Sequence, residues 1–127
     1  MDAQSAQNLV KTYVDGWRRN DAPAIISTLD PHCTIIESHG PTYRGIEMVR
    51  QWVGRWFAAG SRIDRWDITS FHFLNDVAAF EWEFVCTVEG QSYRLDGISL
   101  VEFAEDKIVA LREYRRTEQP FDWEGDL

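Results

Sequence analysis

Residues 78–86 read Ala78-Ala79-Phe80-Glu81-Trp82-Glu83-Phe84-Val85-Cys86. Apolar Ala78, Phe80, Trp82, Phe84 and Cys86 alternate with the acids Glu81 and Glu83. A period of two sends successive side chains to opposite faces, so this is a strand with one buried and one wet face. Glu89-Gly90-Gln91 follows as a hairpin turn, and Tyr93 to Phe103 pairs back. Glu105-Asp106 turns again, and Lys107 to Thr117 is the last strand. On the N-terminal side, Arg62 to Phe73 reads as the preceding strand.

The first half has a different period. Leu9, Val10, Tyr13, Val14 and Trp17 recur at three- and four-residue steps, which predicts a helix from about Ala3 to Asn20. Asp21 and Pro23 suit the first turn of a second, short helix, with Ile25, Ile26 and Leu29 on its buried side. Asp30-Pro31 ends it. Thr34-Ile35-Ile36-Glu37 is a short β-branched strand, broken by Ser38-His39-Gly40-Pro41. A third helix follows Gly45, carries Ile46, Val49, Trp52, Val53, Trp56 and Phe57 at helical spacing, and stops at Gly60. Three helices and then an antiparallel meander imply an α+β fold, with the helices on one face of a curved, mostly antiparallel sheet. Such a sheet wraps the helices like a cone, and its mouth is a natural pocket. The domain spans residues 1–117, and the tail 118–127 has no clear period.

The chain has 127 residues, 44% of them hydrophobic and 13% aromatic, with six Trp. That is enough for one packed core with an aromatic cavity to spare. The net charge of −8 disfavours nucleic acid and anionic membranes, whose phosphates need a surplus of Lys and Arg. No apolar stretch approaches a membrane span. The N-terminus, Met-Asp-Ala-Gln-Ser, lacks the basic and apolar pattern of a signal peptide. Cys33 and Cys86 read as buried, reduced thiols, which points to a cytoplasmic setting.

Several segments together resemble the nuclear transport factor 2-like superfamily, in particular its SnoaL-like and ketosteroid-isomerase-like branches. They are Tyr13-Val14-Asp15-Gly16-Trp17 with Asn20-Asp21, Leu29 through Glu37, and Tyr43-Arg44-Gly45. Val101-Glu102-Phe103, Asp106-Lys107-Ile108-Val109 and Arg112-Glu113-Tyr114 complete the set. The resemblance runs from about Leu9 to Thr117. It implies a helix-1 tyrosine as oxyanion donor, at Tyr13, and a first-strand acid as proton shuttle, at Glu37. Ser99 stands where the isomerases carry a protonated acid. Glu113 falls near one catalytic aspartate of the limonene-epoxide-hydrolase-like members, and SnoaL-like cyclases use an acid as an aldol base. The resemblance also implies a homodimer, with Phe71, Phe73, Tyr93 and Tyr114 as candidate contacts.

Strand parity supports a shared site. If Phe80, Trp82 and Phe84 face inward, so do Gly97, Ser99 and Val101, then Leu111 and Glu113, and Cys33, Ile35, Glu37 and His39. Burial of Glu37 among them predicts a raised pKa, which suits a base near neutral pH. Trp17, Trp52, Trp56, Phe80, Trp82, Phe84 and Leu111 are the candidate walls, and His39 a candidate proton carrier. Trp66 and Trp123 are assigned no wall role. His32, His39 and His72 are scattered without zinc-ligand spacing, and no glycine-rich phosphate loop occurs, so neither metal nor cofactor is expected. Two readings stand. One is a cofactor-free isomerase, cyclase or epoxide-hydrolase-like enzyme acting on a small, largely apolar molecule, with Glu37, Tyr13, Ser99 and Glu113 as its catalytic set. The other is a non-catalytic binding or dimerisation module of the same fold.

Overall fold

The computed structural model describes residues 1–125. Helix α1 (Ala3–Arg18) starts at Asp2, whose carboxylate accepts the Ser5 N–H at 2.8 Å. That satisfies one of the amides a helix start leaves unpaired. Helix α2 (Ala22–Ser27) starts the same way at Asp21, which accepts the Ala24 N–H at 3.1 Å. Helix α3 (Ile46–Ala58) opens after Gly45 and closes ahead of Gly60, both at positive φ. The six strands are β1 (Leu29–Ile36), β2 (Thr42–Arg44), β3 (Arg62–Leu74), β4 (Val77–Val88), β5 (Gln91–Ala104) and β6 (Lys107–Arg115). They form one sheet in the order β2-β1-β6-β5-β4-β3, antiparallel except for β1 beside β6. Three helices on this curved, mostly antiparallel sheet make an α+β cone.

Three two-residue hairpins, at Asn75-Asp76, Glu89-Gly90 and Glu105-Asp106, join β3 to β6. Both central residues of each have positive φ, the turn whose twist matches the twist of its strands. The register then aligns the inner face. Ala78 pairs with Val101, Phe80 with Ser99, and Trp82 with Gly97. Ser99 pairs with Glu113, Val101 with Leu111, and Leu111 with Ile35. Phe80, Val101, Leu111 and Ile35 meet Val10, Tyr13, Ile25, Val49 and Val53 of the helices in one core.

The structure departs from the sequence reading in three places. Asp30-Pro31 lies inside β1 instead of separating it from α2. Leu29 pairs with Ile108 and Thr34 with Ala110, so the intervening residues bulge out of the ladder. Proline has no N–H to give a ladder, and a bulge accommodates it. Secondly, Ser38–Pro41 is the turn of a hairpin onto β2, a strand too short for any period to show. Thirdly, Phe71 and Phe73 turn inward, stacking on Phe80 and against Phe103 respectively. Tyr93 and Tyr114 remain exposed.

Gly97 is where backbone meets backbone. A Cβ there would lie 2.0 Å from the Tyr114 carbonyl oxygen and 2.9 Å from the Trp82 ring. Gly97→Ala is expected to destabilise the protein by about 2–3 kcal/mol, as overpacking does. Urea denaturation reads that loss, and an unchanged midpoint would contradict the tight packing at this pair.

Candidate functional site

Two connected hollows occupy the open end of the cone. The inner chamber holds about 50 Å³. Tyr13 and Trp17 of α1, Trp52 and Trp56 of α3, Ile63 and Trp66 of β3, Phe84 of β4 and Glu113 of β6 line it, with Glu37. A vestibule of about 450 Å³ continues outward past Ser38, His39, Trp82, Cys86, Val88, Tyr93, Leu95 and Arg115. Glu37, Trp56, Trp66, Phe84 and Glu113 border both, so the two acids stand at the neck.

Glu37 follows the last residue of β1, at the start of the tight turn into β2. Its backbone N–H donates to the Pro41 carbonyl at 2.9 Å, and its carbonyl accepts the Gly40 N–H at 2.9 Å. The turn brings Tyr43 back alongside, and the Tyr43 hydroxyl donates to Glu37 Oε1 at 2.6 Å. Burial, and that bond to a carboxylate, raise the Tyr43 phenol above its ordinary range. The Tyr43 ring stacks on Trp52 at 4.0 Å and 8°, so an α3 indole fixes the phenol that holds the acid.

Glu113 sits on β6 opposite Ser99 and faces the chamber. It keeps some accessible surface because the chamber reaches solvent, yet protein surrounds its carboxyl. Desolvation first, and the Glu37 charge second, push it up to about 8. No hydrogen bond or ion pair holds its side chain among the described residues. Tyr13, only 2% exposed, is raised well above the ordinary phenol range by burial and then by Glu113. A phenol so placed stays neutral and keeps its proton to donate.

The other candidate residues divide by whether they touch the hollows. Trp17 and Trp52 wall the inner chamber, and His39 and Trp82 the vestibule, while Trp56 and Phe84 line both. Phe80 and Leu111 are packed solid in the core behind the walls. Ser99 is fully buried and its hydroxyl accepts the Trp82 indole N–H at 2.9 Å, so it faces an indole. Tyr43 and Trp66 border or buttress the acids although sequence pattern did not single them out. The period of β3 could have signalled Trp66, since Ile63 and Trp66 are its most buried residues, but an irregular register after Ile63 breaks the alternation. Among the described residues, no group of three or more His, Cys, Asp or Glu is arranged to hold a metal. No helix of the described residues is long and apolar enough to cross a membrane.

The model of the SnoaL-like domain family matches residues 10–111, most of the chain. The protein belongs to the SnoaL-like domain family. The fold recurs in solved structures at low identity. An LEH-like epoxide hydrolase of Mycobacterium tuberculosis superposes with a TM-score of 0.81 at 11% identity, over 90% of this chain and 84% of that one. TerC, co-crystallised with polyporic acid, gives 0.74 at 15%, over 89% and 92%. A protein of ketosteroid-isomerase-like fold from Catenulispora acidiphila, in complex with trimethylamine, gives 0.71 at 18%, over 84% and 83%. Such identities establish the shared SnoaL-like fold. Comparison with curated proteins by sequence gives no match.

A carboxyl that keeps its proton to about pH 8 when folded, against an ordinary 4.5, makes stability depend on pH. Between those values the unfolded chain binds fewer protons, so stability falls as pH rises from about 4.5 to about 8. Glu113→Gln removes that slope. Melting temperatures across this window should show the variant gaining on the wild type as pH rises, and parallel curves would place the Glu113 carboxyl in water.

Proposed function

We propose that this SnoaL-like protein binds a small, largely apolar organic molecule in the cone and performs cofactor-free acid–base chemistry on it. One observation carries the reading: a carboxyl raised to about 8 and a phenol-held carboxylate line the same indole-walled chamber. A carboxyl held protonated by burial beside a second acid is one way a single site supplies both a proton donor and a base.

In this reading Glu37 takes a proton from carbon. The electron pair moves onto a carbonyl oxygen, and the neutral Tyr13 hydroxyl steadies the oxyanion. Glu113, still protonated near neutral pH, gives a proton to oxygen or orients the substrate. Return of the first proton at a second carbon is an isomerisation. Attack of the same carbanion on another carbonyl is a cyclisation, and protonation of an epoxide oxygen while Glu37 activates water is a hydrolysis. Ser99 acts through Trp82, by fixing the angle of that vestibule wall. His39 sits where a proton could pass between Glu37 and solvent. The trimethylamine and polyporic acid bound by the two neighbours favour a ligand in the cone. Exposed Tyr114 and Tyr93, the latter also at the vestibule, are among the apolar residues available for pairing with a second copy.

The binding-module reading draws on a different observation. The Tyr43 hydroxyl already occupies one Glu37 oxygen, as in a carboxylate kept for structure. Deuterium uptake from heavy water into a panel of small enolisable ketones separates the two. The enzyme reading expects uptake that slows by at least about 100-fold in Glu37→Gln. It also expects a rate that falls as pH climbs past about 8, where Glu113 loses its proton. Ligand binding without uptake in the wild-type protein would leave the binding module.

A further inference from the structure

The inner chamber joins aromatic faces to two acidic side chains. Four of its lining residues are Trp17, Trp52, Trp56 and Trp66. Its acids are Glu37 and Glu113, and no Lys, Arg or His lines it. An indole carries negative potential over its face and is the best aromatic partner for a cation. The Glu37 carboxylate, joined by Glu113 once that group ionises, adds Coulomb attraction that a low dielectric strengthens. A neutral hydrocarbon would gain from the indoles but leave the buried Glu113 carboxyl without a partner. An anion would be repelled by the Glu37 carboxylate. The Glu113 carboxyl, enclosed by protein and without a hydrogen bond or ion pair among the described residues, faces this space unpartnered.

We propose that the ligand of this site is a small organic cation, an alkyl- or arylammonium. Its head sits among the indoles between Glu37 and Glu113, and its apolar remainder lies along Phe84, Val88 and Leu95 of the vestibule. Size agrees. One water needs roughly 10–15 Å³, so a 50 Å³ chamber takes about four water-sized groups, which suits a nitrogen with three small substituents. A positive nitrogen also acidifies the C–H bonds beside it, which lightens the task of a carboxylate base. The inference rests on the chamber being a ligand pocket and deepens that reading by assigning the ligand's charge.

Entry of a cation favours the ionised form of Glu113. The titratable groups that act on Glu113 or share its walls are Tyr13 from α1, Glu37 after β1 and Tyr43 from β2, with His39, Cys86 of β4, Tyr93 of β5 and Arg115 in the vestibule. Binding should therefore release a proton wherever Glu113 still holds one, and affinity should climb with pH up to about 8. The climb must vanish in Glu113→Gln to belong to Glu113.

The decisive probes are choline, its neutral analogue with tert-butyl in place of trimethylammonium, and naphthol as an uncharged apolar probe. Each is titrated into the whole chain by indole fluorescence and calorimetry. The proposal expects choline to bind more than about tenfold tighter than its analogue. It also expects choline binding to weaken in Glu37→Gln and in Glu113→Gln, with circular dichroism confirming that both fold. Equal binding of choline and the analogue would overturn the cation and keep the pocket. Binding of naphthol alone would do the same. Binding of none of the three would overturn both readings. The isostere comparison is made on the wild-type chain, so it holds even if a variant fails to fold.

Discussion

An acid held inside an indole-walled hollow is the constraint that organises this molecule. Glu113 stands on the middle of the sheet, beneath the helices, where a charge would be costly. It meets that cost by keeping its proton to about pH 8 and not by finding a basic partner. The ion pairs of the sheet lie elsewhere, with Arg112 on Glu102 and Arg65 on Glu83 and Asp67, all partly exposed. Arg112 and Glu113 are adjacent in sequence yet serve opposite faces, because successive residues of a strand diverge.

The hollow exists because its surroundings are rigid. Trp82 is pinned by the Ser99 hydroxyl from one side and lies over Gly97, where a methyl group would not fit. Across the chamber Trp17 packs against Trp52, Trp56 and Phe57, and Trp52 in turn stacks on Tyr43. Aromatic rings in edge and stacked contact have few alternative packings, so they leave a shaped void instead of collapsing into it. The buried indole N–H groups of Trp56 and Trp66 have no hydrogen-bond acceptor among the described residues, a further cost carried by this wall.

Much of this was legible from pattern. The alternation at Phe80, Trp82 and Phe84 and the helical stripe of Val10, Tyr13, Val14 and Trp17 report facing direction directly, and those residues are inward. What pattern could not report was distance. Tyr43 reaches Glu37 because a four-residue turn folds a three-residue strand back, and neither is long enough to have a period. Asp30-Pro31 carries a breaking signal that the strand absorbs as a bulge, since pairing with β6 on both sides outweighs the local preference.

The sequence by itself determined the class of fold, the order of its elements and which side chains turn toward the interior. These follow from covalent geometry, because a helix repeats every 3.6 residues and a strand every two. Only the tertiary structure decided which inward residues border empty space and which are packed solid. Phe80 and Leu111 share their parity with Trp82 and Glu113, yet the first two are core and the last two face the hollows. A void is what remains after side chains from α1, α3, β3, β4 and β6 have filled their shares, and no single segment carries that sum. The proton affinity of Glu113 has the same origin, since it is set by everything that keeps water away.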